Sequence, residues 1–177
     1  MLGAQLELFG DRHLRLEDAR RSLAEGRLGD ACAELDWLRR CYPEDAGIVT
    51  ELELVRGLLD RLAEIDRLDV DNRPAALLEL ARSSALASRA WLLRRAAVEL
   101  RAAGGPAALI DGKPASTLVL EAGDPHTAWD MAADAVGATP RTRFQAYLAD
   151  VEYRLDQRWR SRARYREALA LDPFDVD

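Results

Sequence analysis

The sequence contains few aromatic residues and no long apolar stretch, and both absences restrict the class of fold. Aromatic side chains make up only 6% of the chain although hydrophobic residues make up 49%, so alanine and leucine dominate the apolar set. This composition favours closely packed helices over a β-sandwich, whose strands are enriched in aromatic and β-branched residues. No run of about 18 apolar residues occurs, and we therefore expect no transmembrane helix.

Basic residues are outnumbered by acidic ones. The chain has 25 lysine and arginine residues against 31 aspartate and glutamate residues, a formal net charge of −6. This balance disfavours a general nucleic-acid binder but allows a local basic patch.

The N-terminus lacks the basic start and apolar core of a signal peptide. Cys32 and Cys41 would lie on roughly opposite faces of one helix, so we expect free thiols and a cytoplasmic protein. The excess of arginine and alanine over lysine is typical of a bacterial protein from a GC-rich genome.

Recognisable catalytic and ligand-binding motifs are also missing. Gly112-Lys113 resembles the end of a phosphate-binding loop, but Ala107 and Pro114 stand where that motif needs glycine and serine or threonine. The histidines, His13 and His126, belong to no metal-binding or nucleophile signature. We therefore predict a protein that is not an enzyme, with no catalytic residue, no cofactor and no metal site.

The sequence does contain one repeated pattern, which occurs twice in succession within residues 116–173. The matched positions lie 33 residues apart. In the first pass they are Ser116, Val119, Gly123, Ala128, Ala132, Ala135 and Pro140. In the second pass they are Ala149, Glu152, Asp156, Ser161, Tyr165, Ala168 and Pro173. Small residues in the middle and proline at the end are typical of a two-helix unit that stacks on copies of itself.

Local signals in the first pass support this interpretation. Gly123 stands where a helix would end and can adopt the positive φ of a C-cap at little cost. Asp124 and Pro125 then suit the N-cap and the first position of the next helix. Thr139-Pro140 repeats that start signal and predicts where the following helix begins.

The pattern resembles the tetratricopeptide repeat. The best single match is an earlier hairpin. At six positions the family prefers a small residue, glycine, alanine, a large residue, an apolar residue and proline. The hairpin has, in the same order, Ala19, Gly26, Ala31, Leu35, Leu38 and Pro43. The last copy departs from the family, since Glu152, Asp156 and Ser161 replace an aromatic residue, glycine and alanine. The resemblance implies an all-α fold of about eight helices, arranged as stacked antiparallel hairpins in a right-handed superhelix.

We predict one repeat domain over residues 1–177. Its parts are an N-terminal arm (1–11), a first hairpin (12–43), irregular middle helices (44–104) and two C-terminal hairpins (115–173). In the first hairpin we expect one helix to begin at Leu14 and the next to be capped by Asp30.

Arginines of the C-terminal segment form the first candidate binding surface. Arg158, Arg162 and Arg166 are four residues apart and would form one row on a helix. Arg160 and Arg164 would form a second row across the expected core stripe. The ordinary interpretation is that these arginines are solvated and that their aliphatic stems cover neighbouring apolar surface. The alternative is a patch that binds an acidic peptide.

The N-terminal arm carries the second candidate. Gln5-Leu6-Glu7-Leu8-Phe9 resembles the short peptide by which bacterial replication and repair proteins dock on the sliding clamp of DNA polymerase. That resemblance implies that the Gln5 amide bonds at the rim of a pocket and that Leu6, Leu8 and Phe9 fill an apolar cleft. The competing interpretation is that Leu6 and Phe9 cap the open end of the helical stack, because terminal repeats need a cover.

The function implied by the resemblance, together with the missing catalytic motifs, is that of a non-enzymatic adaptor. Such an adaptor would bind a protein or peptide partner in a groove between helices, with no membrane partner and no nucleic acid. The alternatives are a self-associating structural subunit, an accessory protein docked on the sliding clamp through residues 5–9, or a small-molecule or hydrolytic site near Asp111 to Lys113.

Overall fold

The computed structural model describes residues 2–175, without the side chains of residues 2–10 and Leu86. Within this part of the chain the fold is all-helical apart from one two-stranded hairpin. The helices are α1 (Leu2–Ala24), α2 (Leu28–Cys41), α3 (Ala46–Ile65), α4 (Arg73–Ser83), α5 (Leu86–Gly104), α6 (Ala115–Glu121), α7 (Pro125–Ala138), α8 (Thr142–Arg154) and α9 (Arg158–Leu171). The strands are β1 (Leu109–Ile110) and β2 (Lys113–Pro114). None of the helices in the described residues combines the length and apolar composition that a membrane span requires.

The described chain divides into two compact units. One contains residues 2–67 and 84–91, and the other contains residues 68–83 and 92–175. In the first unit α1 packs on α2, and α2 packs on α3. Its core is built from alanines at the helix crossings and branched residues around them: Ala19, Ala31, Leu35, Leu38, Ile48, Leu52 and Val55.

Two boundaries in the first unit differ from the sequence prediction. Helix α1 begins at Leu2 rather than at Leu14, so residues 2–11 continue the first helix instead of forming a separate arm. Asp30 is not a cap, because α2 already begins at Leu28. In α3, by contrast, Asp45 is a true N-cap whose carboxylate accepts a hydrogen bond from the backbone N–H of Gly47 at 3.0 Å.

In the second unit, four consecutive helices pack in sequence order. Helix α6 packs on α7, α7 on α8 and α8 on α9, and α6 also contacts α8. The β1–β2 hairpin precedes α6 and turns at Asp111 and Gly112, whose φ angles are 50° and 76°. Positive φ at both central residues suits a tight two-residue turn. Helix α8 begins at Thr142, so the start signal at Thr139-Pro140 was wrong by two residues.

The hairpins α1–α2, α6–α7 and α8–α9 turn through the same backbone conformation. In each, the residue that ends the turn has a positive φ: 77° at Gly26, 82° at Gly123 and 59° at Asp156. In each, the next N–H bonds a carbonyl five residues earlier: Arg27 to Ser22 at 2.8 Å, Asp124 to Val119 at 3.2 Å and Gln157 to Glu152 at 2.9 Å. This is the hydrogen bond of a glycine-type helix C-cap, and it fixes the direction in which the second helix leaves.

Matched small residues of the three hairpins are buried. The first-helix positions Ala19, Ser116 and Ala149 are at most 2% exposed, as are the second-helix positions Ala31, Ala128 and Ser161. Small side chains there let the two backbones of a hairpin approach closely. The frame that was read from the sequence therefore corresponds to real packing positions in each hairpin.

Candidate functional site

A groove between α6 and α8 is a candidate binding site within the described residues. It has a volume of about 430 Å³ and is lined by Thr117, Leu120, Glu121, Tyr147, Asp150, Val151, Tyr153 and Arg154. Binding clefts in proteins typically enclose about 300–1,000 Å³. The groove was not among the sites predicted from the sequence.

The same repeat positions of two hairpins line this groove. Thr117 matches Asp150, Leu120 matches Tyr153 and Glu121 matches Arg154, each pair being 33 residues apart. Both sets project from the first helix of their hairpin, and those two helices are in contact. A list of matched positions could have identified this surface in the sequence, had the first helices been expected to lie side by side.

The charged side chains of the groove differ in how they are satisfied. Glu121 pairs with the ammonium of Lys113 at 3.0 Å. The Oδ1 atom of Asp150 accepts a hydrogen bond from the Tyr165 hydroxyl, and no described cation pairs with this carboxylate. Arg154, at the end of α8, forms no ion pair with any described residue. The groove therefore presents one carboxylate and one guanidinium, four residues apart, neither of which has a charged partner among the described residues.

Tyr165 keeps the Asp150 carboxylate in place. Burial of its ring, followed by the hydrogen bond to Asp150, raises the pKa of Tyr165 above its ordinary value. The phenol thus stays protonated and remains a donor at every pH of physiological interest. One carboxylate oxygen is held by this donor, while Oδ2 has no described hydrogen-bond partner.

The β1–β2 hairpin is fastened beside the groove. The Tyr147 hydroxyl donates to the carbonyl of Gly112 at 2.9 Å. On the other side of the turn, Arg82 donates to the carboxylate of Asp111 at 2.8 Å. Lys113, which holds Glu121, is the single lysine of the chain. The predicted small-molecule or hydrolytic site near Asp111 to Lys113 falls on this hairpin. The contacts above show that polar groups of this segment already have partners within the protein.

A buried ion pair joins α8 to α9. Glu152 is 0% exposed, and Arg164 donates to its two carboxylate oxygens through Nε and Nη2 at 3.0–3.1 Å. Arg164 also donates to the amide oxygen of Gln145 at 3.0 Å. Arg164 is therefore not a solvated flanking residue, as its row on the helical wheel suggested, but a structural partner of a buried carboxylate. The sequence signal was available, since a glutamate at a buried repeat position requires a cation nearby.

The predicted arginine row lies on the exposed face of α9. Arg158 pairs with Asp156 at 3.0 Å, and its guanidinium lies 5.9 Å from the ring centre of Tyr153, a groove residue. Arg162 and Arg166 are exposed and form no ion pair with a described residue. The structure thus places one arginine of the row beside the groove and leaves the other two without a described partner. Binding of an acidic peptide to this row stays a prediction.

The second predicted site lies outside the described side chains. Gln5, Leu6, Leu8 and Phe9 belong to α1, but the structure does not describe their side chains. Docking on a sliding clamp through residues 5–9 therefore stays a prediction, as does the competing role of Leu6 and Phe9 as a cap.

Another concave surface, in the first unit, is larger, but its charged side chains Arg12 and Asp45 already have partners. It has a volume of about 700 Å³ and lies around Arg12, Tyr42 and Asp45. Arg12 forms an ion pair with Asp45 and lies 5.9 Å from the ring centre of Tyr42. The hydrogen bond from Arg12 is the main reason why the pKa of Asp45 lies below its usual value. Because these charges stabilise each other and the start of α3, this surface offers less to a ligand than the groove does.

Within the described residues no group of three or more histidine, cysteine, aspartate or glutamate side chains is placed to hold a metal ion. Comparisons with protein-family models, with curated proteins and with solved structures find no significant match.

Proposed function

We propose that this chain is a tetratricopeptide-like repeat protein that acts as a non-enzymatic adaptor and binds a segment of a partner protein in the groove between α6 and α8. The observation that carries the proposal is the construction of the groove. Equivalent positions of two successive hairpins line it, so a partner segment lying across it would meet the same face of each repeat. Stacked helical repeats form extended concave surfaces of this kind.

The shared hairpin geometry supports the repeat part of the proposal. Gly26, Gly123 and Asp156 all adopt a positive φ at equivalent positions, and the alanines or serines at the crossings are buried. A right-handed superhelix is the arrangement that we infer for these hairpins. A cytoplasmic location belongs to the same proposal and is supported by Cys32 and Cys41, which are free thiols.

Filling the groove tests the proposal. A library of short random peptides displayed on phage would be selected on the immobilised protein, and the enriched peptides would be measured against two variants. Thr117→Trp places a large side chain in the groove, whereas Thr50→Trp makes the same change at an exposed position of α3. We expect Thr117→Trp to abolish binding and Thr50→Trp to leave it unchanged, with both variants keeping a helical circular dichroism spectrum. Failure to enrich any peptide, or equal binding by Thr117→Trp, would contradict the proposal.

Self-association is a second candidate function, favoured by exposed apolar residues of the C-terminal helix and of the segment that follows it. Trp159, Leu169 and Leu171 of α9 are 72%, 51% and 67% exposed, and Phe174, which follows α9, is 91% exposed. Large exposed apolar side chains in one part of the chain are characteristic of an interaction surface. Sedimentation velocity over a range of concentrations tests this function, because a self-associating chain changes its sedimentation coefficient with concentration and a monomer does not.

A further inference from the structure

The chemistry of the groove indicates which kind of segment it accepts, an inference that rests on the adaptor function proposed above. Asp150 and Arg154 both line the groove and both project from α8. Each lacks a charged partner among the described residues, whereas the third charged lining residue, Glu121, already pairs with Lys113. A ligand therefore satisfies both of these charges only if it supplies a cation to Asp150 and an anion to Arg154.

Asp150 and Arg154 form no ion pair with each other. They stand four residues apart, a spacing at which oppositely charged side chains often pair on a helix surface, yet the structure places no ion pair between them. The Tyr165 hydroxyl bonds Oδ1 of Asp150 and so holds the carboxylate. Two separate charged positions are thus displayed along α8 instead of one neutralised pair.

The spacing of these charges matches an extended chain. Four residues of an α-helix advance by about 6 Å. Two residues of an extended strand advance by about 6.6 Å, and side chains two apart point to the same side. A strand-like peptide lying along α8 would therefore present residues i and i+2 to Asp150 and Arg154 together.

Apolar contacts are available beside both charges. Tyr153 is 58% exposed and matches Leu120 on the facing helix, while Tyr147 lines the groove near the β1–β2 hairpin. Tyrosine supplies a large, rigid surface at little cost in conformational entropy. These rings provide burial for the stems of the ligand's charged side chains.

We propose that the groove between α6 and α8 selects extended peptide segments that carry a basic and an acidic side chain two residues apart, the basic one bound by Asp150 and the acidic one by Arg154. Recognition by two opposite charges in a fixed order gives specificity, because a segment with the charges reversed sets like charges against each other.

Enriched peptides from the phage-displayed library provide the test. We expect them to share opposite charges at a separation of two residues, in one order. Synthetic versions with the two charged residues exchanged should bind roughly fivefold more weakly or worse, in line with the strength of partly exposed ion pairs.

Variants that each remove one charge test which groove residue binds the basic side chain of the peptide and which binds the acidic one. Asp150→Asn keeps an acceptor for Tyr165 and removes the charge, and Arg154→Gln removes the guanidinium. Each should weaken binding of the selected peptides roughly fivefold. The controls Asp130→Asn and Arg61→Gln make the same changes at exposed positions outside the groove, and they should leave the affinity unchanged.

Three results would overturn the inference, and they differ in what they say about the adaptor function. Peptides that require the open groove, as judged by Thr117→Trp, but lack paired charges would overturn the inference alone. Unchanged affinity in Asp150→Asn and Arg154→Gln would do the same. If no peptide is enriched, the adaptor function fails and the inference fails with it.

Discussion

The hairpins α6–α7 and α8–α9 follow one backbone plan with different interiors. The first has Val119 and Met131 where the second, 33 residues later, has Glu152 and Arg164. Val119 is 1% exposed and Glu152 is 0% exposed, so an apolar side chain and a carboxylate occupy equally buried sites. The comparison shows that the small crossing residues and the turn determine the geometry of a hairpin, and that the remaining buried positions accept any side chain whose polar groups are satisfied.

The turns of the two hairpins also differ in residue type at an equivalent position. Gly123 and Asp156 have positive φ angles of 82° and 59°. Aspartate adopts this conformation at some cost, which glycine avoids. At Gly26 of the first hairpin even a Cβ would be crowded, since it would lie 3.1 Å from the Trp91 ring. A non-glycine residue is therefore tolerated only where the turn faces open space.

The largest expected effect comes from breaking the ion pair of the second hairpin. Arg164→Met should destabilise the protein by about 3–5 kcal/mol, because the buried Glu152 carboxylate would lose its cation. The double variant Glu152→Val/Arg164→Met introduces the residues of the first hairpin and should recover most of that loss. Chemical denaturation of both variants measures the difference. Equal stability of the single and double variants would show that charge burial is not the cause.

An intermediate effect is expected at the start of α7, where the hairpins also differ. Asp124 caps α7 and accepts from the Thr127 N–H at 3.1 Å, whereas the matched Gln157 makes no side-chain cap bond. Asp124→Ala should cost about 1 kcal/mol at pH 7, as measured by thermal denaturation. Conversely, Gln157→Asp should stabilise the second hairpin, and unchanged melting of both variants would contradict this account of the difference.

The same cap gives a pH dependence. Hydrogen bonds from the side chain and backbone of Thr127 hold the pKa of Asp124 below its usual value. A lowered pKa in the folded state stabilises the protein above the unfolded-state value of about 4, and this contribution is lost as the pH falls through the folded-state pKa. The stability difference between the native protein and Asp124→Ala should therefore be constant near neutral pH and shrink below about pH 4.

The smallest effect is expected at the turn of the second hairpin. Asp156→Gly should stabilise the protein by less than about 1 kcal/mol, because relief of the positive φ outweighs the greater freedom of the unfolded chain. The exposed ion pair with Arg158 that is lost contributes little. The reciprocal change Gly123→Asp should destabilise α6–α7 by a similar amount. Differential scanning calorimetry resolves both changes, and a destabilised Asp156→Gly variant would mean that the Arg158 contact matters more than the strain.

Much of the hairpin architecture could be predicted because its determinants are local. Gly123, Asp124 and Pro125 end one helix and start the next within three residues, and the structure confirms all three roles. Boundaries without such a signal were less accurate. Helix α1 begins at Leu2, although we expected a separate arm over residues 1–11. A glycine inside a helix, such as Gly10, costs only about 1 kcal/mol and therefore does not end it.

The groove and the buried ion pair depend on distant residues and were not predicted. Tyr147, Asp150 and Arg154 come together with Thr117 and Glu121 only once α6 lies against α8. Likewise, the helical wheel of α9 placed Arg164 on a flank, since a wheel contains no information about the neighbouring helix. Glu152 departs from the pattern of the tetratricopeptide repeat, but only the packing of α9 on α8 identifies Arg164 as its cation.

The Glu152–Arg164 pair also bears on how a chain with repeated hairpins avoids misassembly. Helices α6 and α8 present matched crossing residues, so by packing alone α9 could pair with either. Pairing with α6 would set Arg164 against Val119 and leave Glu152 without its cation, at a cost of several kcal/mol. Since repeat proteins characteristically misfold by exchanging equivalent elements, we expect the ion pair to favour packing of α9 on the helix immediately before it.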